Sequence, residues 1–203
     1  LLALSLFILI LISILNFAND TDLETDFKSY EGSSSSSNKI VILKLDGPIL
    51  NEPFYLNYLT EIQNINPSKV KIKLNKIKEI NPKFLIVSIN SPGGTVAASN
   101  ELYKIFKKFK SENDIIIYFH TNETLASGGY WSALSADKIY ASYGSLIGSI
   151  GVKGPDWIYF DKPISISTGI LGRSIETKNG INVYSQNAGE SKDLLNPFRK
   201  PTN

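Results

Sequence analysis

The order of segments predicts an α/β domain built on a parallel sheet, and three observations carry that expectation. Phe84–Ile89 (FLIVSI) and Asp114–His120 (DIIIYFH) are short apolar runs rich in β-branched and aromatic residues, as buried strands are. Between them, Thr95–Lys110 places Leu102, Ile105, Phe106 and Phe109 on one helical face. A further short helix follows Ser127, and Lys138–Ala141 (KIYA) supplies a third strand. Strand–helix–strand–helix–strand is satisfied by parallel strands with right-handed crossovers. Ligands in such sheets sit outside the carboxyl ends of the strands. The glycine pairs Gly93-Gly94 and Gly128-Gly129 both fall at such ends and are expected to converge on one cleft.

The 203 residues fit one domain plus accessories. A net charge of +2, with the lysines dispersed, gives no electrostatic footprint for nucleic acid. With no cysteine, disulfides and thiolate metal sites are excluded, and a single histidine leaves no multi-histidine metal site. No metal or cofactor is implied, since the glycine spacings match neither a Walker loop nor the dinucleotide fingerprint.

In chain order, Leu1–Phe17 is uncharged and almost wholly apolar. With Ala18 it would span about 27 Å as a helix, close to a hydrocarbon core of about 30 Å. A signal-peptide core is the alternative, but Asn16-Phe17-Ala18 only weakly resembles a cleavage site, and we read residues 1–18 as an uncleaved transmembrane anchor. The acidic Asp20–Glu24 behind it is compatible with outward translocation. Residues 19–38, ending in five serines, read as a flexible linker, and the folded domain is expected from residue 39 to 203. Ile40–Leu45 reads as a strand ending at Asp46-Gly47-Pro48, Tyr55–Asn64 as a helix, and Ser68–Ile80 as a lysine-rich surface helix ahead of Asn81-Pro82. Gly144–Val152 is too rich in glycine for a helix, and Lys153–Tyr184 shows only short β-like pieces at Ile158–Phe160 and Ile181–Tyr184.

Chemistry centres on Ala126-Ser127-Gly128-Gly129-Tyr130-Trp131. A serine at a strand-to-helix turn is either an N-cap or a nucleophile whose oxyanion would meet free backbone N–H groups. The natural oxyanion donors are the N–H of Gly128, next to the serine, and that of Gly94 across the cleft. Two kinds of base are open. His120 lies at the end of the preceding strand, and a desolvated lysine could serve instead, as in serine–lysine variants of the triad.

The blocks Asn90-Ser91-Pro92-Gly93-Gly94, Ala126–Tyr130, Ala136–Ala141 and Gly148–Val152 stand in the order found in the signal peptide peptidase family (SppA, protease IV). Ser191-Lys192-Asp193 with Pro197 resembles that family's lysine motif. The resemblance covers roughly Ile40 to Pro197. It implies a ClpP/crotonase-like fold behind one transmembrane helix, with Ser127 as nucleophile and Lys192 as general base. It further implies Gly94 and Gly128 as oxyanion donors and Ser149 as a hydrogen-bonding support for the lysine. It implies a serine endopeptidase of the bacterial inner membrane, facing the extracytoplasmic side and acting on signal peptides and other hydrophobic peptides. The family forms homo-oligomers in which serine and lysine can come from different protomers, so that assembly would switch on the site. Relatives continue with helical sequence after the lysine motif, and the chain is accordingly expected to be truncated at its C-terminus. The alternatives are an inactive membrane-bound scaffold and an acyl-CoA enzyme of the crotonase type, the latter opposed by the anchor and by the Ser127/Lys192 pair.

Overall fold

The computed structural model describes residues 27–28, 31–33, 35–57, 60–169, 172–189 and 192. The chain divides into two units, residues 1–37 and 38–203. In the first, Ser36 N donates to Ser33 O across a short turn. The expected anchor, residues 1–18, lies outside the described residues, and no helix among those described is long and apolar enough to cross a membrane.

The second unit is organised by a four-stranded parallel sheet. Its strands are β1 (Ile40–Asp46), β4 (Phe84–Asn90), β5 (Ile116–Thr121) and β7 (Lys138–Ala141), adjacent in that order. Helix α1 (Pro67–Ile80) leads into β4, α2 (Val96–Glu112) connects β4 to β5, and α3 (Gly128–Ala133) precedes β7. Strands and helices therefore alternate as the sequence predicts.

Period-two alternation decides which face is covered. Val41, Leu43 and Leu45 of β1, Leu85, Val87 and Ile89 of β4, and Ile117 and Phe119 of β5 are buried. They form one cluster with Val70, Leu74 and Ile77 of α1 and Leu102, Phe106 and Phe109 of α2. Phe106 meets Phe119 edge-to-face with centroids 5.0 Å apart, a favoured aromatic geometry. On the opposite face, Ile40, Ile42, Ile116 and Tyr140 are exposed. There Phe84, Tyr118 and Tyr140 form an aromatic ladder with centroid spacings of 6.1 and 5.5 Å.

Local chemistry sets the helix limits. Asn66 caps α1 by accepting from Lys69 N at 3.1 Å, Pro67 occupies the first turn, and Asn81 ends the helix in the left-handed conformation. Thr95 caps α2 by accepting from Ala98 N.

Two segments differ from expectation. Tyr55–Asn64 is not a helix: β2 (Phe54–Asn57) and β3 (Thr60–Ile62) pair antiparallel, Phe54 opposite Ile62. Aromatic and β-branched residues on both arms favour that outcome. The stretch after Gly151 is a long two-stranded ribbon. β9 (Val152–Phe160) pairs with β12 (Ile181–Ala188), and β10 (Pro163–Gly169) pairs with β11 (Gly172–Thr177) further out. Asp161 N to Gly180 O and Lys178 N to Lys162 O join the two pairs. Short strands β6 (Thr124–Ala126) and β8 (Leu146–Gly148) form a separate parallel pair beside the main sheet.

Asp137 ties three elements together. One carboxylate oxygen meets Lys110 Nζ at 2.7 Å, the other accepts from Ile117 N at 2.9 Å, and Asp137 N donates to Ile117 O. The Lys110 hydrogen bond foremost, with the Ile117 N–H, holds the carboxyl below its ordinary value of 3.8. A carboxyl depressed by folding contributes stability above its unfolded pKa and loses it as pH falls through the folded value. We predict that Asp137→Asn costs about 1 kcal/mol at pH 7, the range of a half-exposed pair. The difference from wild type should shrink below about pH 4. Urea unfolding at both pH values measures it, and a pH-independent difference would contradict the charge assignment.

Candidate active site

β6 delivers the chain to Ser127, and α3 starts at the next residue. The Ser127 backbone has φ 52° and ψ −121°, a positive-φ conformation outside the left-handed helical region that costs a non-glycine residue about 1–3 kcal/mol. Hydrogen bonds hold it there. Ser127 N donates to Gly148 O at 2.9 Å, Trp131 N donates to Ser127 O at 2.9 Å, and Ala126 N donates to Ser91 O at 3.0 Å. The hydroxyl makes no capping bond. The N-cap reading of Ser127 thus describes its position but not the use of its side chain. With only six residues, α3 adds little macrodipole.

Both glycine pairs reach the serine. A Cβ added at Gly93 would lie 2.7 Å from Ser127 Cβ and 2.8 Å from Gly128 N. At Gly94 it would collide with the Ile49 carbonyl, because the chain after β1 runs against this loop: Ile49 N donates to Gly93 O and Thr95 N donates to Ile49 O. Gly94 N lies 3.3 Å from the place a Cβ of Gly128 would take. The sequence-predicted donors Gly94 and Gly128 therefore stand side by side, and glycine at both permits the approach.

Lys192 Nζ lies 3.0 Å from Ser127 Oγ, 2.8 Å from Ser149 O and 3.0 Å from Ser149 Oγ. Three partners surround one amine. Ser149 itself has φ 53°. The ribbon explains how residues so far apart in sequence meet. At its base Gly151 and Gly189, both at positive φ, cross so closely that a Cβ on either would strike the other strand's carbonyl, Ala188 O or Ile150 O. The chain leaves beside Ser149 and returns beside Lys192. The contact is made within one chain.

A cavity of about 470 Å³ opens beside Ser127 and Lys192. Its apolar wall includes Val96, Trp131, Leu134, Ile150 and Val152. His120, the other candidate base, is not part of it. Its Nε2 lies 3.2 Å from Ser142 Oγ, and its residue sits opposite Tyr140 in the sheet. Among the described residues no cluster could hold a metal ion. Sequence reasoning missed the scaffold of the turn, Ser91 and the β6–β8 pair, because three-residue strands carry too little periodicity to see.

The α/β domain thus presents a serine at a strained strand-to-helix turn with a lysine amine against its hydroxyl. Residues 107–162 match the profile of Peptidase family S49. A protein of Enterococcus faecium, named as a signal peptide peptidase SppA, is 31% identical over 169 residues, covering 83% of this chain and 44% of that protein. Serine protease SPPA, chloroplastic, of Arabidopsis thaliana is 29% identical over 147 residues, covering 68% of this chain and 21% of that protein. The chain thus spans less than half the length of these relatives. A looser likeness links it to the solved structure of the 1510-N membrane protease, specific for a stomatin homolog, from Pyrococcus horikoshii. There the TM-score is 0.44, with 17% identity and coverage of 56% of this chain and 50% of that one. The match to the profile of Peptidase family S49 and the relatives named SppA and protease 4 support an SppA-family protein.

The strain at residue 127 yields a prediction free of any assay of activity. Ser127→Gly accepts φ 52° without penalty whereas Ser127→Ala does not. The glycine variant should be more stable than the alanine variant by about 1 kcal/mol. Equal midpoints in denaturant would contradict the assignment of strain.

Proposed function

We propose that the protein is a serine endopeptidase in which Ser127 is the nucleophile and Lys192 the general base. The observation that carries this reading is the 3.0 Å approach of Lys192 Nζ to Ser127 Oγ. A neutral amine has two N–H groups and one lone pair. In the resting structure Nζ donates to Ser127 Oγ and to both oxygens of Ser149. In the free-amine form that a general base requires, the two N–H groups would stay on Ser149 and the lone pair would be left for the serine hydroxyl.

The chemistry follows from that arrangement. Lys192 takes the Ser127 proton as Oγ bonds to the scissile carbonyl carbon, and the carbonyl electron pair moves onto oxygen. Gly94 N–H and Gly128 N–H receive that oxyanion. As the C–N bond breaks, the Lys192 ammonium returns the proton to the leaving amine, giving an acyl-Ser127. Water then adds to the ester carbonyl with Lys192 again as base. Collapse of that adduct frees the carboxylic acid and restores the serine.

The apolar wall of Val96, Trp131, Leu134, Ile150 and Val152 supports hydrophobic peptides as substrates. Signal peptides left in a membrane are the substrate class this reading adopts. The uncharged segment 1–18 supports a membrane anchor, and the reading adopts the inner membrane, the extracytoplasmic side for the domain and a homo-oligomer.

The test is covalent labelling with a fluorophosphonate probe, mapped by mass spectrometry. Labelling of the wild type at Ser127, abolished in Ser127→Ala and reduced at least a hundredfold in Lys192→Ala, is the expected result. An unlabelled, folded wild type would support the inactive membrane scaffold instead. A second measurement concerns the contact within one chain. Co-expressed Ser127→Ala and Lys192→Ala chains should recover no activity, and recovery would show that serine and lysine act across protomers.

A further inference from the structure

Ser99 lies in α2, one turn after its cap, and is 1% exposed. Its main chain is satisfied: Ser99 N donates to Thr95 O, and Ser99 O accepts from Ser132 Oγ at 3.4 Å. Its hydroxyl has no hydrogen-bond partner. Burying a hydroxyl without a partner is unfavourable, and alanine at this place in a helix would avoid the cost. The hydroxyl is not remote from the chemistry. It occupies the space a side chain on Gly128 would need, with Ser99 Cβ 2.8 Å from that hypothetical Cβ and Gly94 N 3.3 Å from it. Ser99 also lines the cavity shared by Gly94, Ser127, Gly128 and Lys192.

We propose that Ser99 Oγ is a third donor to the oxyanion, beside the Gly94 and Gly128 N–H groups. The inference rests on the serine–lysine reading above. In the resting site the hydroxyl has nothing to donate to. When Ser127 Oγ bonds to the carbonyl carbon and its proton passes to Lys192, the carbonyl oxygen gains a full negative charge next to Gly128. The unpaired hydroxyl then acquires its acceptor, so its interaction strengthens on the way to the transition state rather than in the substrate complex. Gly128 has a second function in this arrangement, since any side chain there would displace Ser99 Oγ.

The experiment compares wild type, Ser99→Ala and Ser99→Cys as full chains. Three readouts are taken: the rate of fluorophosphonate labelling at Ser127, kcat and KM for a fluorogenic apolar peptide, and the melting temperature. The expected result is a ten- to hundredfold fall in kcat and in labelling rate for Ser99→Ala, with KM within twofold and an unchanged or raised melting temperature. Ser99→Cys, which fills the space with a weak donor, should stay slow. Wild-type rates in Ser99→Ala would overturn the inference while leaving the Ser127/Lys192 reading intact. Recovery in Ser99→Cys, or a rate loss that tracks a lowered melting temperature, would show a packing role and overturn it equally. Absence of labelling at Ser127 in the wild type would remove the serine–lysine reading itself, and this inference with it.

Discussion

The site depends on one backbone conformation, the positive-φ turn at Ser127. A residue at φ 52° stays there only if its surroundings over-determine it, and four contacts do so. Gly148 O holds its N–H, Trp131 N holds its carbonyl, Ser91 O holds the residue before it, and the Gly93 loop closes against its side chain. Each of these is itself set by the sheet. Ser91 follows directly from β4, Gly148 ends β8, and Ile49, on the chain leaving β1, pins the Gly93-Gly94 loop. The apolar core under β1, β4 and β5 therefore contributes to function indirectly. It keeps three loop ends in register closely enough that the strained turn has no room to relax.

How much of this was legible in the sequence varied with the physics of each segment. The unit from Phe84 to Thr121 reads cleanly because one face of each strand and one stripe of α2 are buried, so period two and period 3.6 both show. Asn66-Pro67 and Asn81 announce the ends of α1 through capping chemistry. The hairpin at 54–62 was misjudged because tyrosine, leucine and asparagine in a short run fit either period. The ribbon resisted for another reason. Trp157, Ile158, Ile164, Ile166 and Tyr184 are all exposed, so neither face imposes an alternation of polar and apolar residues. Within the site, Ser127 and the two glycines were visible from local turn chemistry. Lys192 was not, since no spacing rule joins it to Ser127, and only the resemblance of its motif to a family singled it out from the other lysines. Ser99 left no signal, because a serine among helix residues looks like any other until its hydroxyl is found without a partner.

The uncovered face of the sheet follows from the same alternation. Parallel strands are usually buried on both sides, yet the described helices that enter the core cover only one. The other carries Ile40, Ile42, Ile116 and Tyr140 at the surface, with the Phe84–Tyr118–Tyr140 ladder running across the strands. The rings stabilise cross-strand pairing. The loops that meet at Ser127 lie at strand ends.

The crossing of Gly151 and Gly189 has a consequence for how this protein can change over generations. Antiparallel pairing brings the two ends of the ribbon together at its base whatever happens at its tip. Lengthening or shortening the excursion between residues 152 and 188 therefore adds almost nothing to the entropy of closing Lys192 onto Ser127. Parity is the restriction that remains. Removing a matched pair of residues from each strand leaves every remaining side chain on its original face, whereas an odd change on one strand inverts the faces beyond it. The distance in sequence between serine and lysine is accordingly a nearly free variable, provided it drifts in steps that the pleat allows.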